Sequence, residues 1–269
     1  MIITTSQRTS EETKLEAQRI AKKFDLSYIA RDKRSLQKLL TISSPVAVLS
    51  SDTLTIHFNE HQTHSFHLSM AQLRLLRLEE HGEDYLVSAV NQLIHKVGNT
   101  GSSSQSEHRL SILDCTLGLG SDSIVLSYAF PAAEIESIEG SFPIWLSTTY
   151  GLCHFQHHNK LITDALRRIQ TTYGDFRTVL DSKEENSIDI IYIDPMFERP
   201  IDESPQFKPL RGNTVESSLT EAVLTQAKTV ARLGIIIKER PFSSIFKRYP
   251  PDAWVGGKYS RIVYALYYV

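Results

Sequence analysis

Cysteine is scarce: the 269-residue chain has two, Cys115 and Cys153. Two thiols make no disulfide framework and exclude a four-cysteine zinc site. No apolar run approaches the ~20 residues of a bilayer-spanning helix. Met1-Ile2-Ile3 passes straight into a polar stretch, without the apolar segment of a secretory signal. These absences predict a cytoplasmic chain with no membrane partner. An excess of charge of one sign is lacking too, with 29 basic and 31 acidic residues and a net charge of −2. The distribution says more than the sum. Residues 1–40 hold nine Lys/Arg and five Asp/Glu, net +4; residues 41–194 hold nine and nineteen, net −10; residues 195–269 hold eleven and seven, net +4. A polyanion, if one binds, should meet the two ends of the chain; scattered solvated charge would give the same numbers.

What is present is a chain long enough for a domain of ~200 residues and a smaller one. Residues 1–97 read as a small α+β domain that could contact RNA. Ile2-Ile3 opens a strand, Ser10 caps a helix with Ala17, Ile20, Ala21 and Phe24 on one face, Val46 to Leu49 and Leu54 to Phe58 are strands, and Tyr85 to Val97 is a helix. Residues 98–109, rich in Gly and Ser, read as a flexible linker. From 110 to 269 strands and helices alternate. Ser111 to Asp114, Glu134 to Glu139, a short strand before Gly174, Ile188 to Ile193 and Ile235 to Ile237 are the expected strands. Asp122 to Phe130 and Pro143 to Leu152 are expected helices, and Leu219 to Leu233 a third, ending at Gly234 as a helix C-cap. Ile262 to Val269 closes the chain as a β-rich run. This order calls for a mostly parallel, doubly wound α/β sheet with ligands at the carboxyl ends of its strands.

Four features sit at those ends. Asp114-Cys115-Thr116-Leu117-Gly118-Leu119-Gly120-Ser121-Asp122 joins the first strand to its helix, and its two glycines let backbone approach a ligand at a helix N-terminus. A dinucleotide fold would want a third glycine where Ser123 stands, so a pyrophosphate grip is disfavoured. Glu139, at the end of the next strand, can accept both ribose hydroxyls of a nucleoside, with Glu136 as a nearby competitor. Gly174-Asp175-Phe176 pairs an acid with an aromatic, which suits an adenine ring and equally an ordinary turn. Asp194-Pro195-Met196-Phe197 follows the most apolar strand. Such a corner stacks an unpaired base on its aromatic ring while the carboxylate accepts from an exocyclic amine; a proline-stiffened loop is the plainer alternative.

On these residues the stretch 110–269 resembles the class I SAM-dependent methyltransferases. More narrowly, it is similar to the bacterial RsmJ family, the guanine-N2 methyltransferases of small-subunit rRNA. The matching pieces are Asp114-x-Thr116-x-Gly118-Leu119-Gly120-x-Asp122, Tyr192-x-Asp194-Pro195-Met196-Phe197, and Ile235-Ile236-Ile237-Lys238 with Arg240-Pro241 beyond it. The resemblance implies a Rossmann-like sheet with an antiparallel C-terminal strand and S-adenosyl-L-methionine as cofactor. It implies cofactor contacts at Asp114, Gly118, Gly120, Ser121, Asp122, Glu139, Gly140, Asp175, Phe176 and Asp194. Asp194, Pro195 and Phe197 would be the catalytic corner. Met196, Phe197, Lys238 and Arg240 would contact RNA, the implied partner, within rRNA or a ribosomal subunit.

The expected reaction is in-line attack of a nucleobase amine on the sulfonium methyl, with Asp194 accepting from the amine and Phe197 stacking on the base. Residues 198–213, with Arg199, Lys208 and Arg211, read as a loop that orders over substrate or as a disordered insertion. The histidines at 57, 61, 64 and 67, and the Cys153-His154 and His157-His158 pairs, are read as surface or helix-face packing, with no metal site. Cys115 lacks a partner that would make it a nucleophile, and Tyr264, Tyr267 and Tyr268 read as sheet residues. The competing functions are methyl transfer to an adenine amine of DNA or RNA or to protein, an NAD-dependent oxidoreductase, and a catalytically silent RNA-binding module.

Overall fold

The computed structural model describes residues 1–98, 109–195, 219–258 and 260–269. It begins with β1 (Ile2–Thr5) and α1 (Glu11–Lys23). The Ser10 side chain accepts the Thr13 N–H at 3.1 Å, with Glu11 and Glu12 at the helix's positive end and Lys22 and Lys23 at its negative end. Next come β2 (Ser27–Tyr28), α2 (Leu36–Ile42), β3 (Val46–Leu49), β4 (Leu54–His57) and β5 (Thr63–Ser65). They form a sheet in the order β2-β1-β3-β4-β5, parallel around β1 and antiparallel beyond β3. The α1 face carrying Ala17, Ile20 and Ala21 packs on Ile3, Ala47, Leu49 and Ile56.

Two helices follow, α3 (Ser69–His81) and α4 (Tyr85–Gly98). The sequence pattern predicts α4 and misses α3. The reason is local: Leu68, at the N-cap of α3, offers no side-chain cap, and Leu73 and Leu76 lie on its exposed side, which blurs the apolar stripe.

The second sheet is built from β6 (Ser111–Asp114), α5 (Ser121–Ala129), β7 (Glu134–Glu139), α6 (Phe142–His154), α7 (Lys160–Arg168), β8 (Ile169–Tyr173), α8 (Phe176–Ser182) and β9 (Ile188–Ile193). It continues with α9 (Glu221–Val230), β10 (Ala231–Glu239), α10 (Ser244–Arg248), β11 (Ala253–Val255) and β12 (Val263–Tyr268). Its strand order among the described residues is β11-β12-β10-β9-β6-β7-β8. β8, β7, β6, β9 and β10 run parallel, whereas β12 is antiparallel to both of its neighbours. This is the mixed α/β architecture that the sequence predicts. From β6 the chain winds outward through β7 and β8, then returns to β9 on the other side of β6. The reversal opens a crevice above the carboxyl ends of β6 and β9.

One face of this sheet carries α3, α4 and α5. Leu75, Leu86, Val90 and Leu93 share a core with Ile112, Ile190, Ile236 and Leu266. The helices that precede the 98–109 segment therefore bury their apolar faces on the larger sheet. The other face takes α8, α9 and α10, with Phe176, Leu224, Ala227 and Phe246 against Ile191, Ile193 and Ile235. The smaller sheet leans on α6, where Ile144, Leu146 and Tyr150 join its core and the Ser147 hydroxyl donates to Leu54 O at 2.7 Å.

Three expectations are corrected. The helix expected over 219–233 ends at Val230, and Ala231 to Leu233 already belong to β10. Gly234 is no helix cap: it lies inside β10 at an irregularity in the pairing with β9, close to the backbone of Tyr267. Leu233 carries the apolar pattern of a strand, which helical periodicity also accommodated. His64 lies neither on the surface nor on a helix face. It is buried in β5 with Nε2 3.4 Å from Thr148 Oγ1, and burial lowers its pKa to about 4. Among the described residues no helix is long and apolar enough to cross a membrane.

The approach of α6 to the Phe66 segment sets a packing test. A Cβ at Gly151 would stand 2.1 Å from Phe66 side-chain carbons, whereas one at Gly174 meets nothing nearer than Val179 at 3.8 Å. Gly151→Ala is expected to destabilise the fold by about 1–3 kcal/mol and Gly174→Ala to leave it within about 0.5 kcal/mol, read as urea midpoints at constant slope.

Candidate functional site

The end of β6 is fixed from within. Asp114 is buried, its Oδ1 accepts from Thr116 N–H at 2.9 Å and Thr116 Oγ1 at 3.2 Å, and its Oδ2 accepts from the Ser123 hydroxyl. Ser137 Oγ donates in turn to Ser123 Oγ at 2.9 Å. The serine that replaces a third glycine thus anchors the acid that starts the turn. Burial raises the Asp114 pKa to about 7, with the Ser123 and Thr116 hydrogen bonds opposing it. Gly118 and Gly120 have φ of +50° and +77°, and Gly120 caps α5. A Cβ built on Gly118 meets only Thr116 O, at 3.9 Å, so the turn leaves open space above it.

Glu139 ends β7 beside that space. Its Oε2 accepts from Gly118 N–H at 3.0 Å and its Oε1 from Ser141 N–H at 2.8 Å; the Gly140 backbone also bonds it. Burial raises its pKa and these backbone donors oppose the rise. Three backbone donors leave about one of the carboxylate's roughly four lone-pair sites for a further donor. Beyond Ser141, an aromatic group gathers: Phe142 lies 5.2 Å from Tyr173, 5.7 Å from Trp145 and 5.9 Å from Phe24, centroid to centroid. Tyr173 is exposed at the end of β8.

Asp175 and Phe176 are placed differently from a free acid and a free ring. Asp175 caps α8, accepting from Arg177 N–H at 2.9 Å, and pairs with the Arg177 guanidinium at 2.5 Å, which lowers its pKa. Phe176 is buried in the core against the sheet. Ser121 opens α5, and Gly140 follows Glu139 in the turn to α6.

The carboxyl ends of β9 and β10 carry a buried ion network. Asp194 N–H donates to Thr116 Oγ1 at 2.9 Å, tying the Asp-Pro corner to the glycine turn. Lys238, on β10, donates through Nζ to Asp194 Oδ2 at 2.7 Å and to Asp122 Oδ2 at 2.8 Å. Tyr192 OH donates to the same Asp122 oxygen at 2.8 Å, and Arg74 takes Asp122 Oδ1. Arg74, from α3, also forks onto Asp84 at 2.7 and 2.8 Å, and Asp84 Oδ1 accepts the Leu86 N–H at the start of α4. Burial alone would raise the pKa of Asp122; Lys238 and Arg74 overcome it and hold the carboxyl far below its ordinary value. Burial likewise opposes the charge on Lys238, and Asp122 and Asp194 keep it protonated with a raised pKa. Asp194 keeps a raised pKa, because its burial and the nearby Asp122 charge outweigh Lys238.

The structure therefore brings Asp114, Gly118, Gly120, Glu139, Asp194 and Pro195 to one crevice. It sets Asp122 and Lys238 just behind, paired with each other rather than aimed outward. Arg240 follows the end of β10, half-buried. Met196 and Phe197 lie outside the described residues, as do 198–213. Sequence reasoning missed Arg74, Asp84 and the Phe142–Tyr173 rings. A lone arginine on an unrecognised helix gave no signal, whereas Phe142, three residues past Glu139, was open to discovery. Among the described residues no group of three or more His, Cys, Asp or Glu could hold a metal ion. The open turn, the remaining acceptor site at Glu139 and the surplus of carboxylates fit a cationic nucleoside such as S-adenosylmethionine.

Two outcomes follow from this geometry. Asp114 titrates at about 7 in the folded chain against an ordinary 3.8, so the folded state holds the extra proton between these values. Its contribution to stability is full below about pH 4 and is lost as pH rises through 7. Relative to Asp114→Asn, the wild-type urea midpoint should therefore fall between pH 5 and pH 7.5. Arg74→Met strips buried carboxylates of their partner and should cost about 3–5 kcal/mol, and adding Asp122→Asn and Asp84→Asn should recover part of it in the same assay.

Comparison with known proteins gives this geometry a family. The model of the family described as "Putative SAM-dependent methyltransferase" matches residues 50–268. Over 250 residues, 92% of either chain, the sequence is 28% identical to the Bacillus subtilis protein YpiP, which is uncharacterized. It is also 28% identical, over 160 residues covering 54% of this chain and 56% of the relative, to ribosomal RNA small subunit methyltransferase J of Acinetobacter baumannii. The fold matches a crystal structure of a SAM-dependent methyltransferase from Neisseria gonorrhoeae with a TM-score of 0.64 at 15% identity, covering 100% of this chain and 96% of that one. The chain belongs to the SAM-dependent methyltransferase family whose model it matches, and S-adenosylmethionine is its cofactor.

Proposed function

We propose that this methyltransferase modifies the exocyclic amine of a nucleobase, guanine N2 in small-subunit rRNA, as a cytoplasmic enzyme. The observation that carries the reading is the acceptor at the end of β9. The Asp194 carboxylate is oriented by Lys238, its backbone is pinned to Thr116, and Pro195 follows it. An oriented carboxylate suits a planar amine, which offers N–H donors, better than it suits a carboxylate substrate. The partial similarity to ribosomal RNA small subunit methyltransferase J supports RNA as the substrate class.

In this reading Glu139 accepts a ribose hydroxyl of the cofactor, Gly118 and Gly120 let backbone approach it, and the Phe142 and Tyr173 rings border its base. The network of Arg74, Asp84, Asp122, Asp194 and Lys238, with one net negative charge when all five are ionised, sets a negative field around the cofactor's cationic centre. When bound, the cofactor supplies an electrophilic methyl carbon and a sulfur that takes the leaving electron pair. Asp194 accepts an N–H of the target amine and directs the nitrogen lone pair toward that carbon. Methylation leaves the nitrogen with one proton too many. The raised pKa of Asp194 lets its carboxylate take that proton and release it to water. Lys238 stays protonated throughout, since two carboxylates hold its proton, and serves to orient Asp194.

Labelled methyl transfer tests the proposal, with small subunits, large subunits, genomic DNA and total protein from cells lacking the gene as acceptors. The expected product is N2-methylguanine in small-subunit RNA. Asp194→Ala should lower kcat about 10²–10⁴-fold while binding of S-adenosylhomocysteine persists. Label in adenine, DNA or protein would replace the proposed substrate, and normal turnover by Asp194→Ala would remove the acceptor role.

A further inference from the structure

The chain between β10 and β12 wraps the edge of the large sheet on the side of the site. Residues 240–261 hold Arg240, Lys247, Arg248, Lys258 and Arg261 against a single acid, Asp252, so this stretch carries a net +4 and accounts for the whole excess of residues 195–269. The acid is engaged locally, since Asp252 Oδ2 accepts the Tyr268 N–H at 2.8 Å. Two large aromatic side chains stand out in the same stretch. Phe242 is 90% exposed, and Trp254 is 46% exposed. Trp254 is held edge-on to the buried Phe246 at 4.6 Å, which fixes its ring relative to α10.

Strand register locates this surface. Trp254 pairs with Ala265, Ala265 with Ile237, and Ile237 with Ile193, the residue before Asp194. Trp254 thus sits level with the end of β9 and three strands away, about 14 Å at ~4.8 Å per strand. Phe242 lies three residues beyond Glu239, past the end of the strand next to β9. A ring at 90% exposure gains almost nothing from folding, and single exposed rings are common. Phe242 and the half-exposed Trp254, with Arg240 just past β10 and Lys247 and Arg248 on α10, form the pattern that holds single-stranded nucleic acid: cations on phosphates, rings under bases.

We infer that Phe242 and Trp254, with Arg240, Lys247 and Arg248, bind the single-stranded RNA flanking the target nucleotide, with Phe242 stacking on a base. The inference rests on RNA being the substrate. It assigns substrate affinity to the β10–β12 rim and leaves cofactor binding and chemistry to the β6–β9 crevice.

The test uses the full chain, a fluorescein-labelled 12-nucleotide single-stranded RNA and small-subunit rRNA. Phe242→Ala is expected to weaken binding of the oligonucleotide and raise KM for rRNA about 10-fold, within the range of one lost stacking contact. kcat at saturating RNA, S-adenosylhomocysteine affinity and Tm should stay unchanged, and Phe242→Trp should restore binding. Lys247→Gln should reduce the salt dependence of oligonucleotide affinity by about one phosphate contact. A KM and affinity within twofold of wild type in Phe242→Ala, while the wild type methylates rRNA, would overturn the rim assignment and leave the proposed function standing. A wild type that binds no RNA and methylates another acceptor would overturn both.

Discussion

The structure turns on the buried pairing of Lys238 with Asp122 and Asp194. Five charged side chains from five parts of the chain meet there: Arg74 from α3, Asp84 ahead of α4, Asp122 from α5, Asp194 after β9 and Lys238 from β10. A charge taken out of water is costly unless it is paired and hydrogen-bonded, so each member tolerates burial only while the others stay in place. The crevice is therefore built around a rigid polar centre, although its walls are ordinary aliphatic core. With all five ionised the group carries one net negative charge. Asp114 and Glu139 lie on the β6 and β7 side of the same crevice. Such a surplus suits a cofactor that brings a positive sulfonium.

The network also explains why the helices before residue 98 matter to the site. α3 and α4 cover one face of the larger sheet with Leu75, Leu86, Val90 and Leu93. That apolar contact delivers Arg74 to Asp122. In turn, Arg74 holds Asp84, whose Oδ1 accepts the N–H groups of Leu86 and Val87 at 2.9 and 3.3 Å. Packing of the helix pair and the electrostatics of the site are thus one arrangement. The family match, which begins at residue 50, spans both helices.

Division of labour along the carboxyl edge of the sheet follows from strand order. Glu139 and its aromatic neighbours stand on the β7–β8 side, where a nucleoside cofactor fits. Asp194, the proposed amine acceptor, stands in the centre after β9, and the stretch that carries Phe242 and Trp254 lies beyond β10. Reversal of winding between β6 and β9 opens the crevice, and the antiparallel insertion of β12 carries β11 and its tryptophan to the far edge. Charge follows the same axis: the acidic middle of the sequence supplies the cofactor side, and a basic end supplies the rim.

The sequence by itself determined what local chemistry decides. Ser111 to Asp114 and Ile188 to Ile193 are strands because their apolar residues leave no other stable use, and Ser10 caps α1 because its hydroxyl meets a free N–H. The glycine turn and the Asp-Pro corner fall at strand ends for the same local reasons, so the fold class, the methyltransferase family and the places of these two motifs were legible. The tertiary structure decided what depends on distance across the chain. Which carboxylates face outward cannot be read from spacing: Asp122 and Asp175 look like ligands in sequence, yet each is paired with a cation. Phe176 looks like a stacking ring and is core, whereas Phe142 and Tyr173 come together only when β7 and β8 align. Arg74 reaches Asp122 across 48 residues of chain, on a helix that its own residues barely announce. Hydrophobic periodicity records where a chain enters the core; the partners of a buried charge are set by the packing of elements far apart in sequence.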